Sequence, residues 1–162
     1  MNADEPMRTT RRDLLIGAAS LAASTGIVSV LPVTDARATP ASMEAAIKKV
    51  VGSAPLRKGK VTLALPPIVE NGNSVSLDVT VENPMTAVDY VKAIHVFNEK
   101  NPLPNVISAY LGPRAGQAKL STRMRLADSQ RILAVAEMSD GTFWSDDVEV
   151  IVTIAACLED PG

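Results

Sequence analysis

A chain of 162 residues with 16 Lys+Arg, 18 Asp+Glu and a formal net charge of −2 has room for one modest domain. It shows no charge excess of the kind that marks a nucleic-acid or anionic-membrane surface. One His, one Cys, one Trp, two Tyr and two Phe leave too few ligand types for a protein-only zinc or iron site, so no metal and no cofactor are expected.

Thr10-Arg11-Arg12-Asp13-Leu14-Leu15 is a twin-arginine sequence, followed by an apolar stretch rich in Ala, Gly and Ser that runs to about Leu31. Pro32 and the small-residue site Ala36-Arg37-Ala38 then predict cleavage before Thr39. Ser20, Ser24, Thr25 and Gly26 keep the stretch too mildly apolar for an anchor across about 30 Å of hydrocarbon. Residues 1–38 are therefore predicted to be a Tat signal peptide, and the processed protein to be periplasmic and free of the membrane. Four charges of each sign lie in that leader, leaving 12 basic against 14 acidic residues in 39–162.

Residues 39–52 form the one helical candidate, with Met43, Ala46, Ile47, Val50 and Val51 at spacings of three and four and Gly52 as the stop. After Pro55 and Gly59 the period becomes two. Val61, Leu63 and Leu65 alternate, and so do Val75, Leu77, Val79 and Val81. Asn71-Gly72-Asn73 between them is turn chemistry, which predicts a hairpin. Further strands are predicted over 91–98, 106–111 and 119–126. A closing pair, 131–138 and 143–154, flanks Asp140-Gly141. About seven short strands with no intervening helices predict an all-β, immunoglobulin-like antiparallel sandwich over 39–154.

Beyond Ile154 the chain reads Ala155-Ala156-Cys157-Leu158-Glu159-Asp160-Pro161-Gly162, so the only thiol falls on a tail over 155–162. Three residues past the strand carry it roughly 10 Å from the sheet. A lone exported cysteine is a buried small hydrophobe, an intermolecular disulfide partner or a working thiol, and its position on a tail favours the last. No Lys, Arg or His lies on this tail, and Glu159 and Asp160 oppose thiolate formation, so activation must come from a partner.

Several segments carry a family resemblance in a fixed order. They are Arg11-Arg12-Asp13 in the leader, the turn Val69-Glu70-Asn71-Gly72-Asn73-Ser74-Val75, and Glu82-Asn83-Pro84-Met85 ahead of Tyr90-Val91-Lys92. Glu99-Lys100-Asn101-Pro102, Arg125-Leu126-Ala127-Asp128-Ser129-Gln130 and Ala134-Val135-Ala136-Glu137-Met138-Ser139-Asp140-Gly141 complete the series. Together they resemble the SoxY subunits of the SoxYZ sulfur-oxidation carrier, from leader to tail. The resemblance implies an immunoglobulin-like domain paired with a SoxZ-like subunit, and a periplasmic, non-enzymatic sulfur carrier whose attachment point is Cys157. It implies that a c-type haem enzyme joins thiosulfate to Cys157. A hydrolase then releases sulfate, and in many relatives a sulfane dehydrogenase oxidises the remaining sulfur. The family's best-known tail is Gly-Gly-Cys-Gly-Gly. Ala155 and Ala156 here make a less free arm, because glycine gives the backbone its widest range.

Other residues carry weaker cases. His95 shares an alternating face with Val91, Ala93 and Phe97, the pattern of a core or edge histidine. Asp146-Asp147 is best explained as a solvated turn opening a strand, and Arg114, between Gly112-Pro113 and Gly116, as part of an exposed loop. The rival functions are a periplasmic binding or structural module in which Cys157 forms an intermolecular disulfide, and a thiol peroxidase, which lacks activating residues beside its thiol.

Overall fold

The computed structural model describes residues 37–155. The predicted leader, its cleavage site up to Ala36, and Cys157 lie outside the described residues.

Helix α1 (Pro40–Val51) begins where local chemistry dictates. Thr39 takes an extended N-cap conformation, its hydroxyl accepts from the Ser42 N–H at 3.1 Å, and Pro40 fills the first turn. Gly52 ends it at φ 62°, a conformation that glycine adopts at little cost.

Nine strands follow: β1 (Leu56–Lys58), β2 (Val61–Ala64), β3 (Ile68–Asn71), β4 (Val75–Val81), β5 (Val91–Asn98), β6 (Asn105–Tyr110), β7 (Lys119–Met124), β8 (Gln130–Met138) and β9 (Phe143–Ile154). They make two sheets. One runs β1-β9-β8-β5-β6 with β3 also on β9, and the other runs β2-β4-β7. Alternation sorts the side chains: Leu77 and Val79 from the small sheet meet Ile94, Val96, Ile132, Ala134 and Val150 from the large one, all nearly or fully buried. On the large sheet's other face α1 sets Met43, flanked by the half-buried Ala46, Ile47, Val50 and Val51, against Phe97, Leu133, Val135 and Phe143.

The all-β sandwich predicted from periodicity is therefore present, with two differences. β1 and β3 both pair with β9 in parallel, so the large sheet is mixed. The predicted hairpin partners β2 and β4 do pair antiparallel, from Val61↔Val81 to Ala64↔Asp78. The chain reaches β4 only after β3 has crossed to the other sheet, and Asn71-Gly72-Asn73 is the turn from β3 into β4.

Several segments that carried the resemblance are scaffold. The buried Asn98 accepts from Asn101 N–H at 2.8 Å and donates to the Leu103 carbonyl at 2.9 Å. Asn101 Oδ1 in turn accepts from Gln130 Nε2 at 2.9 Å and Ala127 N–H at 3.0 Å, tying the loop after β5 to the one before β8. Asn83 accepts from Met85 N–H at 2.7 Å, which places Met85 at φ 50° and drops its side chain into the core. Each network satisfies backbone groups that a buried loop would otherwise strand.

Candidate functional site

Strand β9 decides where Cys157 can go, because the described chain ends one residue after it. Its first eight residues pair with β8, from Phe143↔Glu137 to Val150↔Gln130, and there the ladder with β8 stops. Other groups hold the last four. On one side β3 pairs Ile68↔Ile151, Val69↔Val152 and Asn71↔Ile154. On the other, Ser129 Oγ accepts from Val152 N–H at 2.9 Å, standing in for the ladder bond that β8 no longer makes.

The turn motif closes this end. Asn73 N–H donates to Asn71 Oδ1 at 2.9 Å, Gly72 N–H donates to the Ile154 carbonyl at 2.8 Å, and the Gly72 carbonyl accepts from Leu126 N–H at 2.8 Å. Thr153 Oγ1 donates to the Glu70 carbonyl at 3.1 Å. The backbone is thus fixed through Ile154. Cys157 follows three residues later in the sequence, at most roughly 10 Å of extended chain at about 3.3 Å per residue.

Charge near the root is mixed. Glu70 and Glu149 are exposed, and residues 68–75 and 149–162 contain no Lys, Arg or His, but Arg123 of β7 reaches the root turn, its guanidinium donating to Ser74 Oγ at 3.2 Å. Asp128, one residue from Ser129, is held below the ordinary carboxylate value by a side-chain bond from Lys100 and a backbone bond from Ser129.

The residues set aside on sequence grounds occupy other places. His95 is 4% exposed, with Nδ1 hydrogen-bonded to Ser108 Oγ at 2.8 Å, and its Nε2 has no hydrogen-bond partner among the described residues. Burial holds its pKa below the usual histidine value, partly opposed by Glu137. It shares the outer sheet face with Phe97. Val91, grouped with it by alternation, instead enters the inter-sheet core, because a register shift between Val91 and Ala93 inverts the pattern. Asp146 and Asp147 are not a solvated turn. They are half-buried mid-strand residues of β9: Asp146 accepts from Leu63 N–H at 2.9 Å, and Asp147 pairs with Arg131 at 3.1 Å and with Lys58. Arg114 is exposed in the short 3₁₀ turn Pro113–Ala115.

Among the described residues no three His, Cys, Asp or Glu side chains group as a metal site, and no helix is long and apolar enough to cross a membrane. One feature escaped the sequence: Trp144, at the far end of β9, lies under Lys60 Nζ at 4.8 Å and the Arg57 guanidinium at 5.6 Å from its ring. It left no linear signal, because Arg57 and Lys60 lie 87 and 84 residues before Trp144 in the sequence.

Known proteins fit this architecture. No curated protein matches the chain. Among solved structures, the sulfur carrier protein SoxY from Chlorobium limicola f thiosulfatophilum superposes with a TM-score of 0.60 at 29% identity, covering 70% of this chain and 98% of that one. A superoxide reductase (neelaredoxin) from Ignicoccus hospitalis superposes with a TM-score of 0.53 at 17% identity, covering 72% and 95%, which is a likeness of fold alone. The family model described as sulfur oxidation protein SoxY matches residues 47–157, from within α1 through both sheets to the cysteine itself, and the chain belongs to the SoxY family.

Proposed function

We propose that this protein is a periplasmic sulfur carrier of the Sox thiosulfate-oxidation pathway that holds its cargo covalently on Cys157. The observation that carries this is the family match, which spans both sheets and ends on the chain's one cysteine. Likeness to a structure described as a sulfur carrier supports it, as does a strand end anchored three residues before the cysteine.

The chemistry asked of Cys157 is simple. Its thiol and thiosulfate join through a new sulfur–sulfur bond, releasing one proton and two electrons to a c-type haem partner. Water then attacks the outer sulfonate, releasing sulfate and two protons and leaving a persulfide on Cys157. A sulfane dehydrogenase, where one is present, would oxidise that outer sulfur. The protein itself supplies an attachment point and a surface and no acid or base, so it acts as a substrate of these enzymes. Its twin-arginine leader would export it through the Tat route, with a SoxZ-like subunit docked as a heterodimer.

The test is intact mass after incubation with thiosulfate and the partner enzymes. The wild type should gain thiol-reducible adducts. Cys157→Ser should gain none, while its stability moves by no more than about 0.5 kcal/mol, because the change lies beyond the last strand residue. Adducts on the serine variant, or protein-to-protein disulfides as the wild type's sole product, would overturn the carrier role and favour a disulfide-linked module.

A further inference from the structure

Strand alternation should leave polar side chains outward, yet the root of the arm is ringed with isoleucine. Ile68 is 64% exposed, Ile151 57% and Ile154 64%. Ile68 and Ile151 are direct partners across the β3–β9 pairing and so share one face, while Ile154 ends β9 on the opposite parity, past the inter-sheet core. An isoleucine therefore stands on each face of the sheet where the chain departs.

We infer that Ile68, Ile151 and Ile154 form a docking collar for the enzymes that act on Cys157, an apolar ring that seats against the mouth of the partner's active-site cleft. This rests on the carrier role proposed above.

Reach supplies the first argument. With the backbone fixed through Ile154, the sulfur extends only roughly 10 Å. An enzyme that draws it into a cleft of that depth must close its rim onto the collar. Area supplies the second. The three part-exposed isoleucines, two on one face and one on the other, together expose no more than about a few hundred Å². That is well short of the roughly 800 Å² per partner of a stable complex. So small a contact suits an enzyme that visits and leaves, and does not suit a permanent subunit or a second copy. The complementary mouth is therefore apolar where it meets the collar.

The test uses the full chain with its partner subunit and the thiosulfate-conjugating enzyme, comparing wild type with Ile68→Thr/Ile151→Thr, which keeps both strands β-branched. The rate of adduct formation on Cys157 should show KM raised about tenfold or more, equivalent to about 1.4 kcal/mol of lost contact, with kcat retained. Alkylation of Cys157 by iodoacetamide, which needs no docking, should be unchanged. If the double variant fails to fold, Ile154→Ser takes its place. An unaltered KM in a folded variant, or loss of the partner subunit from it, would overturn the collar and leave the carrier role standing. A wild type that never loads Cys157 would remove the carrier role, and the collar with it.

Discussion

Replacing Ser129 with alanine should loosen the root of the arm and little else. Ser129 is half-buried, and its hydroxyl accepts from Val152 N–H at 2.9 Å; the return contact to the Val152 carbonyl, at 3.5 Å, is too long to add much. A neutral hydrogen bond contributes about 0.5–1.5 kcal/mol net, and an orphaned buried N–H costs about 1–3 kcal/mol. Val152 is only half-buried, so water can partly replace the hydroxyl, and the expected cost is about 1–2 kcal/mol. That corresponds to roughly a 5–30-fold larger equilibrium constant for local opening. Amide hydrogen exchange should show this loss of protection at Val152 while Ile94 and Ala134, in the sheet centre, keep theirs. If β9 then frays back to Ile151, the sulfur's reach grows from roughly 10 Å to roughly 20 Å. Unchanged protection at Val152, or an equal loss at Ile94, would refute the local role assigned to Ser129.

Two further outcomes follow from burial. Met43, 2% exposed beneath α1, should cost about 2–3 kcal/mol when changed to alanine, the low end for large-to-small core changes because the helix can settle. Urea titration checks it, and a loss under about 0.5 kcal/mol would show that α1 does not depend on that contact. His95 has a folded pKa below its ordinary 6.5, so as pH falls through and below 6.5 the unfolded chain takes up a proton that the folded chain refuses. Stability should drop over that window by at most about 1.4 kcal/mol per pH unit, and His95→Gln should flatten the slope. Asp128 and Asp140, whose folded values lie below 3.8, act only at lower pH; an unchanged slope in His95→Gln would place the proton elsewhere.

The parts of this fold legible beforehand are those where side-chain period reports burial on one face. Strands β5 and β9 keep their predicted limits, and α1 differs only by its two cap residues, because Thr39 and Gly52 mark both ends chemically. β1 and β3 were missed for opposite reasons. Leu56–Lys58 is exposed at every position and so has no alternation to detect, and Ile68–Asn71 follows Pro66-Pro67 and ends in turn residues. Both are strands only because β9 offers them an edge, which is a tertiary cause. The same limit applies to the site. Cys157 stands out in composition, whereas the groups that set its root, Ser129, Gly72 and Asn71, lie 28 to 86 residues earlier than the thiol in the sequence and meet only in the fold.

The placement of β9 has a mechanical consequence. On the proposed carrier role, an enzyme that grips Cys157 and withdraws would pull along the axis of a 12-residue strand bordered by β8 over most of its length and by β1 and β3 at its two ends. Such a load acts across the hydrogen bonds in shear, so many must yield together, whereas a strand peeled from one end gives way a bond at a time. Under the proposed carrier role, repeated capture and release of sulfur would therefore load a strand that β8, β1 and β3 flank rather than one free to peel.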